Sequence, residues 1–180
     1  MKEFSLEDFS PEDTKEQLIT TLCKQKAIDI SIAYISDFKS AKLLREVIDN
    51  LCKGYGIDPK WRTRLVLVID ELNNNAIEYG SKKGEKNYMS FKLSKNTSGN
   101  LIIDTTVTDT GKGDHAKKAK DMLLLRKQNE NKDFSHHHSI RGRGLFFIIS
   151  HLVDDLYFRD SEKGGLIVGA RKTLTQKPQK

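Results

Sequence analysis

The chain is poor in several features that define whole classes of protein. Only two of its 180 residues are cysteine. Cys23 and Cys52 lack metal-ligand spacing and lie in helix-like segments where a small apolar side chain serves, so neither a disulfide scaffold nor a zinc module is expected. No apolar run approaches the ~20 residues needed to cross a bilayer, and the charged amino terminus has no signal-peptide core. A cytoplasmic protein with reduced thiols and no membrane partner is the expectation. Aromatic residues are not interleaved with the basic runs, which leaves nucleic-acid binding resting on charge alone and makes it the last choice. There is no internal repeat, and no shift in composition marks a second domain.

What remains is one domain's worth of ordinary globular sequence, able to bury roughly two-thirds of its unfolded surface without staples. Lys and Arg number 31 against 25 Asp and Glu, a net charge of +6 that favours anionic partners without naming them. The charge is uneven: Met1 to Glu16 is acidic, while Lys82 to Lys95, Lys112 to Lys127 and Arg171 to Lys180 are basic.

Periodicity organises the chain around Trp61 to Gly80. Asp58 can cap a helix there and Pro59 suits its first turn. Trp61, Leu65, Val68, Ile69, Leu72 and Ala76 recur at helical steps and define its core face. At 100° per residue, from roughly 3.6 residues per turn, Glu71, Asn75 and Glu78 share one flank, Asn73 falls on the other flank and Asn74 points away from the core. A carboxylate and a carboxamide one turn apart suit a metal ion and a reacting hydroxyl. Taken alone, the pair also fits a solvated helix border.

Before this helix, residues 1–26 read as an N-terminal helical extension starting at Ser10 and Pro11. Ala27 to Ser36 alternates as a half-buried strand, and a helix capped by Ser36 or Asp37 buries Leu44, Val47, Ile48 and Leu51. After it, Tyr88 to Lys95 and Leu101 to Asp109 form a hairpin, with Met89, Phe91, Leu93, Leu101, Ile103, Thr105 and Val107 inward. Asp114 to Ile140 is a long polar connection containing a short helix, and long connections in compact domains are usually functional. A buried helix should follow Gly144, then a last hairpin from Leu152 to Arg159 and Leu166 to Leu174. The final residues, 177–180, read as a disordered tail.

Three features, each weak singly, stand in a telling order: Glu71 with Asn75 on a helix edge, Asp109-x-Gly111-x-Gly113 at a strand end, and Gly142-x-Gly144 at a helix start. In this arrangement the sequence closely resembles the GHKL ATPase superfamily, the ATP-binding fold of histidine kinases, gyrase, heat-shock chaperones and MutL. Within that superfamily it is most similar to the small anti-sigma-factor serine/threonine kinases of the RsbW type. Glu71-x-x-x-Asn75-Ala76-x-x-Tyr79-Gly80 looks like the family's N box, and the two glycine motifs look like its first and second glycine boxes. The resemblance spans residues 27–176, with a lid at about 112–141.

The fold so implied is an α+β, two-layer sandwich: a mixed, mostly antiparallel sheet covered on one face by helices. The ligands implied are ATP and Mg²⁺. Asn75 would offer its amide oxygen to the metal, and Glu71 would orient or deprotonate the attacking hydroxyl. Asp109 would accept from the exocyclic amine of adenine. Gly111 and Gly113 would let the backbone pass close to base and ribose, and Gly142 and Gly144 would bring amides to the phosphates. Arg141 and Arg143 can reach phosphate oxygens or stand exposed.

The chain departs from the family at Tyr79, where relatives often carry histidine, at Leu166, where threonine is frequent, and in the length of the lid. His136, His137 and His138 cannot share a helix face and read as loop rather than metal site, and His115 as exposed. The expected function is an ATP-dependent kinase that binds a sigma factor and phosphorylates its antagonist, with a homodimer possible. The alternative is a nucleotide-gated binding module without transfer. A histidine-kinase fragment would need an upstream phosphoacceptor, and no histidine precedes Ala27. Gyrase-like and MutL-like functions would need a further domain.

Overall fold

The computed structural model describes residues 1–10, 12–130 and 149–175. Within them the strand pattern read from alternation holds. Strand β1 (Lys2–Ser5) is followed by a short 3-10 turn, Leu6–Phe9, and by helix α1 (Glu12–Cys23). Next come β2 (Ile28–Ile35), α2 (Phe38–Gly54) and α3 (Pro59–Asn75). The hairpin of β3 (Lys86–Lys95) and β4 (Leu101–Thr108) precedes α4 (Ala119–Glu130). Helix α5 (Ile149–Leu152) is followed by β5 (Asp155–Asp160) and β6 (Leu166–Leu174).

The strands form one six-stranded sheet in the order β1-β2-β3-β4-β6-β5. Only β1 and β2 run parallel; the other four pairings are antiparallel. This is the mixed, mostly antiparallel sheet of an α+β two-layer sandwich. Its inward positions, Ile28, Ile30, Ile32, Met89, Phe91, Leu93, Ile103 and Val107, are buried against Leu44, Val47, Ile48 and Leu51 of α2 and Leu65, Val68, Ile69 and Leu72 of α3. Each such side chain contributes about 1.5–3 kcal/mol on leaving water. Against a net stability of about 5–15 kcal/mol, a polar residue in the α3 stripe would threaten the whole domain.

The helix starts are fixed by their caps. Asp37 accepts from the Ser40 amide at 2.7 Å, and Asp58 from the Lys60 amide at 2.9 Å, with Pro59 in the first turn. Strand β1 is an addition to the sequence reading, which gave residues 1–26 a helix only. Four residues are too few to show alternation. The strand is held by pairing with β2 and by Phe4, whose ring meets Phe9 edge-on at 5.5 Å.

Among the described residues no helix covers the other face of the sheet. Tyr157 lies across Gly169, where an added Cβ would come within 2.1 Å of its ring, and donates to Asp104 at 2.7 Å. Arg171 forks onto the second oxygen of Asp104 at 2.8 and 2.6 Å.

Candidate functional site

The site is built where the end of α3 meets the end of β4. Glu71 and Asn75 lie on the partly exposed edge of α3, one turn apart. Asn75 donates its amide nitrogen to the Glu71 carbonyl at 2.6 Å, which fixes the carboxamide and leaves its oxygen as the group able to meet a ligand. Burial, and then the neighbouring Asp70 and Glu78, push the Glu71 carboxyl above the usual glutamate range. Arg45 of α2 holds Asp70 through Nε at 2.9–3.0 Å.

Asn73, on the opposite flank of the helix, is buried. It is 1% exposed, donates to the Ile69 carbonyl at 2.8 Å and faces the Met89 sulfur at 3.8 Å. The inward side of β3 reaches it, so the core is wider here than the apolar stripe of the helix suggested.

After Asn75 the helix loosens into a π turn, Ala76–Gly80, closed by the Ser81 amide donating to the Ala76 carbonyl at 2.9 Å. Such insertions concentrate at functional sites. Here the wider turn carries Gly80 against the carboxyl group of Asp109. A Cβ on Gly80 would lie 2.1 Å from Asp109 Oδ2, and one on Gly113 would lie 2.1 Å from the Tyr79 carbonyl oxygen. The Gly113 amide donates to the Gly80 carbonyl at 3.1 Å. The end of the first motif and the start of the second are therefore in van der Waals contact, and only glycine permits the approach.

Asp109 is held from the opposite side by the β5–β6 turn. Its Oδ1 accepts from the amides of Gly111 at 2.9 Å and Leu166 at 2.8 Å, and its own amide donates to the Leu166 carbonyl at 3.1 Å. Gly111 adopts φ +68°, and Gly165 lies so close that a Cβ would sit 1.8 Å from the Asp109 carbonyl oxygen. With Oδ1 occupied, Oδ2 is the acceptor left for a base. Burial raises the Asp109 pKa, while the two amides and Lys118 oppose that rise.

Leu166 thus supplies through its backbone a bond to the carboxylate that needs no side-chain hydroxyl. Gly165, the residue before it, packs directly on Asp109, and the Gly164 carbonyl lies against Gly111. Gly80 and Gly165 were not singled out as site residues, because their need for glycine arises only from tertiary contact.

The described part of the expected lid, residues 112–130, is tied to the same turn. Lys118 donates to the Gly164 carbonyl at 2.7 Å and the Ala119 amide to Asp160 at 2.9 Å. Lys112 is paired with Glu85 at 3.4 Å, and His115 is exposed. Arg141, Gly142, Arg143 and Gly144, with the second glycine box, lie outside the described residues, as do His136 to His138 and the tail at 177–180.

The donor set fits ATP with magnesium. A hard cation with octahedral demands takes one or two protein oxygens and completes its shell with phosphates and water, and Asn75 Oδ1 meets that requirement. A buried acceptor opposite a glycine wall suits the 6-amino group of adenine. A groove of about 960 Å³ lies instead over the opposite face of the sheet. Its walls include Asp109 and Thr110 but none of Glu71, Asn75, Gly111 or Gly113. A nucleotide there would touch only one side of the constellation.

A one-sided sandwich with a carboxylate and carboxamide on a helix edge, facing a glycine turn at a strand end, defines a nucleotide-binding domain. Comparison with known families agrees: the model of the histidine kinase-like ATPase domain matches residues 36–172. The chain belongs to that family, and membership implies ATP binding. Among solved structures it is similar to a chain of the SiaB–SiaC complex from Pseudomonas aeruginosa, with a TM-score of 0.54 at 12% identity, covering 88% of this chain and 97% of that one. At that identity the likeness concerns the fold. No curated protein sequence matches the chain.

Proposed function

We propose that the protein is an ATP-dependent serine/threonine kinase that binds a regulatory protein and phosphorylates it, in the manner of the small anti-sigma-factor kinases. The observation that carries the reading is the contact of Gly80 with Asp109, which joins the helix bearing Glu71 and Asn75 to the base-selecting carboxylate. Phosphoryl transfer is largely positioning and charge neutralisation, so a fixed base acceptor at one end and a carboxylate at the other form a sufficient protein framework.

In this reading Asp109 Oδ2 accepts from adenine and the backbone at Gly111 and Gly113 lies along the base and ribose. Asn75 Oδ1 would hold Mg²⁺, which would neutralise phosphate charge. Glu71, with its raised pKa, takes the proton of the incoming serine or threonine hydroxyl. Gly142, Gly144, Arg141 and Arg143 are assigned to the phosphates. The partners are a sigma factor and its antagonist, or their equivalents, and the occurrence of the fold in a protein–protein complex supports a protein partner. Self-association through a homodimer and a cytoplasmic location belong to the same proposal. Among the described residues no helix is long and apolar enough to cross a membrane.

The test is transfer from labelled ATP, with magnesium, to candidate antagonist proteins. Wild-type protein should label one of them on serine or threonine. Glu71→Ala should bind Mg·ATP with unchanged affinity and label nothing. Tight Mg·ATP binding without labelling of any bound partner would favour the alternative, a nucleotide-gated binding module. Transfer by Glu71→Ala at the wild-type rate would remove Glu71 from the chemistry.

A further inference from the structure

Ser81 and Asn87 belong to neither the helix motif nor the glycine motifs, yet they hold the backbone of the base-selecting loop. The amide of Thr110, the residue after Asp109, donates to Ser81 Oγ at 2.9 Å. The Ser81 hydroxyl in turn donates to Asn87 Oδ1 at 2.6 Å. Both side chains are buried, Ser81 at 5% and Asn87 at 0% exposure. One hydroxyl that accepts from a backbone amide and donates to a buried carboxamide forms a directional chain, and such chains strengthen in a low-dielectric interior.

The surroundings are unusual for the inward face of this sheet. Asn87 sits opposite Tyr34 in the β2–β3 register, and every inward neighbour further along, Ile28, Ile30, Ile32, Met89, Phe91 and Leu93, is apolar. At the end of the β2–β3 ladder that approaches Asp109, this run of apolar side chains gives way to polar ones. There the Ser36 hydroxyl is buried without a hydrogen-bond partner among the described residues, beside the Tyr34 hydroxyl and the Asn87 carboxamide, which face each other. Folded proteins pair nearly all such groups, and unpaired ones call for an explanation other than stability.

We propose that Ser81 and Asn87 are positioning residues for base recognition: through the Thr110 amide they fix where Asp109 presents its free carboxylate oxygen, and so set the preference for a 6-amino over a 6-oxo purine triphosphate. This rests on the ATP reading above. Ser81 follows the π turn directly and Asn87 lies in the strand beyond the next loop, so the chain also ties the loop to the helix bearing Glu71 and Asn75.

The test uses the full chain and titrates ATP and inosine triphosphate, which differ at the 6-position, by calorimetry with magnesium. Ser81→Ala should weaken ATP about ten-fold and inosine triphosphate less than about two-fold, the loss of one hydrogen bond's positioning, so the preference ratio collapses. Ser81→Thr, which keeps the hydroxyl, should retain the ratio. Asn87→Leu should act in the same direction as Ser81→Ala, and the serine variant carries the test if the leucine variant does not fold. Equal losses for both nucleotides, or an unchanged ratio in Ser81→Ala, would overturn the proposal while leaving ATP binding intact. Wild-type protein that binds both nucleotides equally, or neither, would overturn it together with the ATP reading.

Discussion

Gly165→Ala separates a glycine required by contact from one required by backbone conformation. A methyl group there would be placed 1.8 Å from the Asp109 carbonyl oxygen, 2.7 Å from its carbonyl carbon and 2.9 Å from Oδ1. Ordinary carbon contacts are about 3.5–4.0 Å, so the β5–β6 turn and the base-selecting loop must part by more than about 1 Å. Overpacking of that kind costs about 1–3 kcal/mol, or roughly 2–12 °C in melting temperature for a domain of this size. The same displacement strains the bond from the Leu166 amide to Asp109 Oδ1, now 2.8 Å, and moves Oδ2 with it. Losing one charge-assisted bond to adenine, about 1.5–3 kcal/mol, weakens ATP by roughly 10- to 150-fold.

Gly99→Ala is the control. Its φ of +79° penalises any side chain, but nothing lies within 4 Å of an added Cβ. It should lose about 1–2 kcal/mol of stability and no ATP affinity. Thermal melts and calorimetry read both quantities. If Gly165→Ala bound ATP within about two-fold of wild type while melting normally, the turn would not support the base pocket, and the placement of adenine at Asp109 would be refuted.

Other perturbations should behave as follows. Glu71→Gln should abolish transfer and raise the melting temperature at neutral pH, because it removes a partly buried charge beside Asp70 and Glu78. The sign follows from linkage: a carboxyl whose folded pKa is raised binds its proton more tightly when folded, so its ionised form destabilises above that pKa, and the gain should vanish at pH values below both pKa values. For the same reason the acid limb of the pH–rate profile should have its midpoint above the ordinary 4.5 of a glutamate, and a midpoint at or below that value would remove the burial argument. Asp109→Asn should keep the fold, since an amide oxygen can still accept from Leu166 and Gly111, yet lose ATP by roughly 10- to 100-fold with a smaller loss for inosine triphosphate. Chelating magnesium should stop transfer in the wild type and erase the difference in ATP affinity between wild type and Asn75→Ala, whereas a persistent difference would give Asn75 a role other than metal binding.

Most of the fold was legible because its elements are long enough to show a period. Eight or more residues in β2, β3, β4 and β6 alternate, and the seventeen-residue helices α2 and α3 carry continuous apolar stripes between marked caps. What escaped lies where local pattern is silent. Strand β1 has four residues and depends on β2 for its existence. Asn73 was assigned by helix angle, yet the partner strand decides how wide the buried arc is, and Met89 extends it. Of the site, Asp109 and its two glycines stood out because a carboxylate at a strand end beside glycines is a local pattern. Gly80 and Gly165 did not, since the group that excludes a side chain at each belongs to a distant part of the chain. Ser81 and Asn87 were equally silent, as serine and asparagine after a helix read as loop until their burial is known.

These omissions share a cause that bears on how the site works. Asp109 is gripped by Gly80 at the end of the π turn, by its own Gly111, and by Gly165 and Leu166 of the last hairpin, and Lys118 and Ala119 fasten the following helix to that hairpin. In the proposed binding mode, a base seated against Asp109 would press on the helix that carries Glu71 and Asn75 and on α4 through single, short contacts. A ligand shifts an equilibrium only by its differential affinity for the two states, and packed backbone contacts of this kind do not yield gradually. On the proposed reading, the adenine end would be the place where nucleotide occupancy is felt by both the Glu71 edge of α3 and the surface formed by α4. A glycine substitution that loosens one grip should weaken that communication even where binding survives.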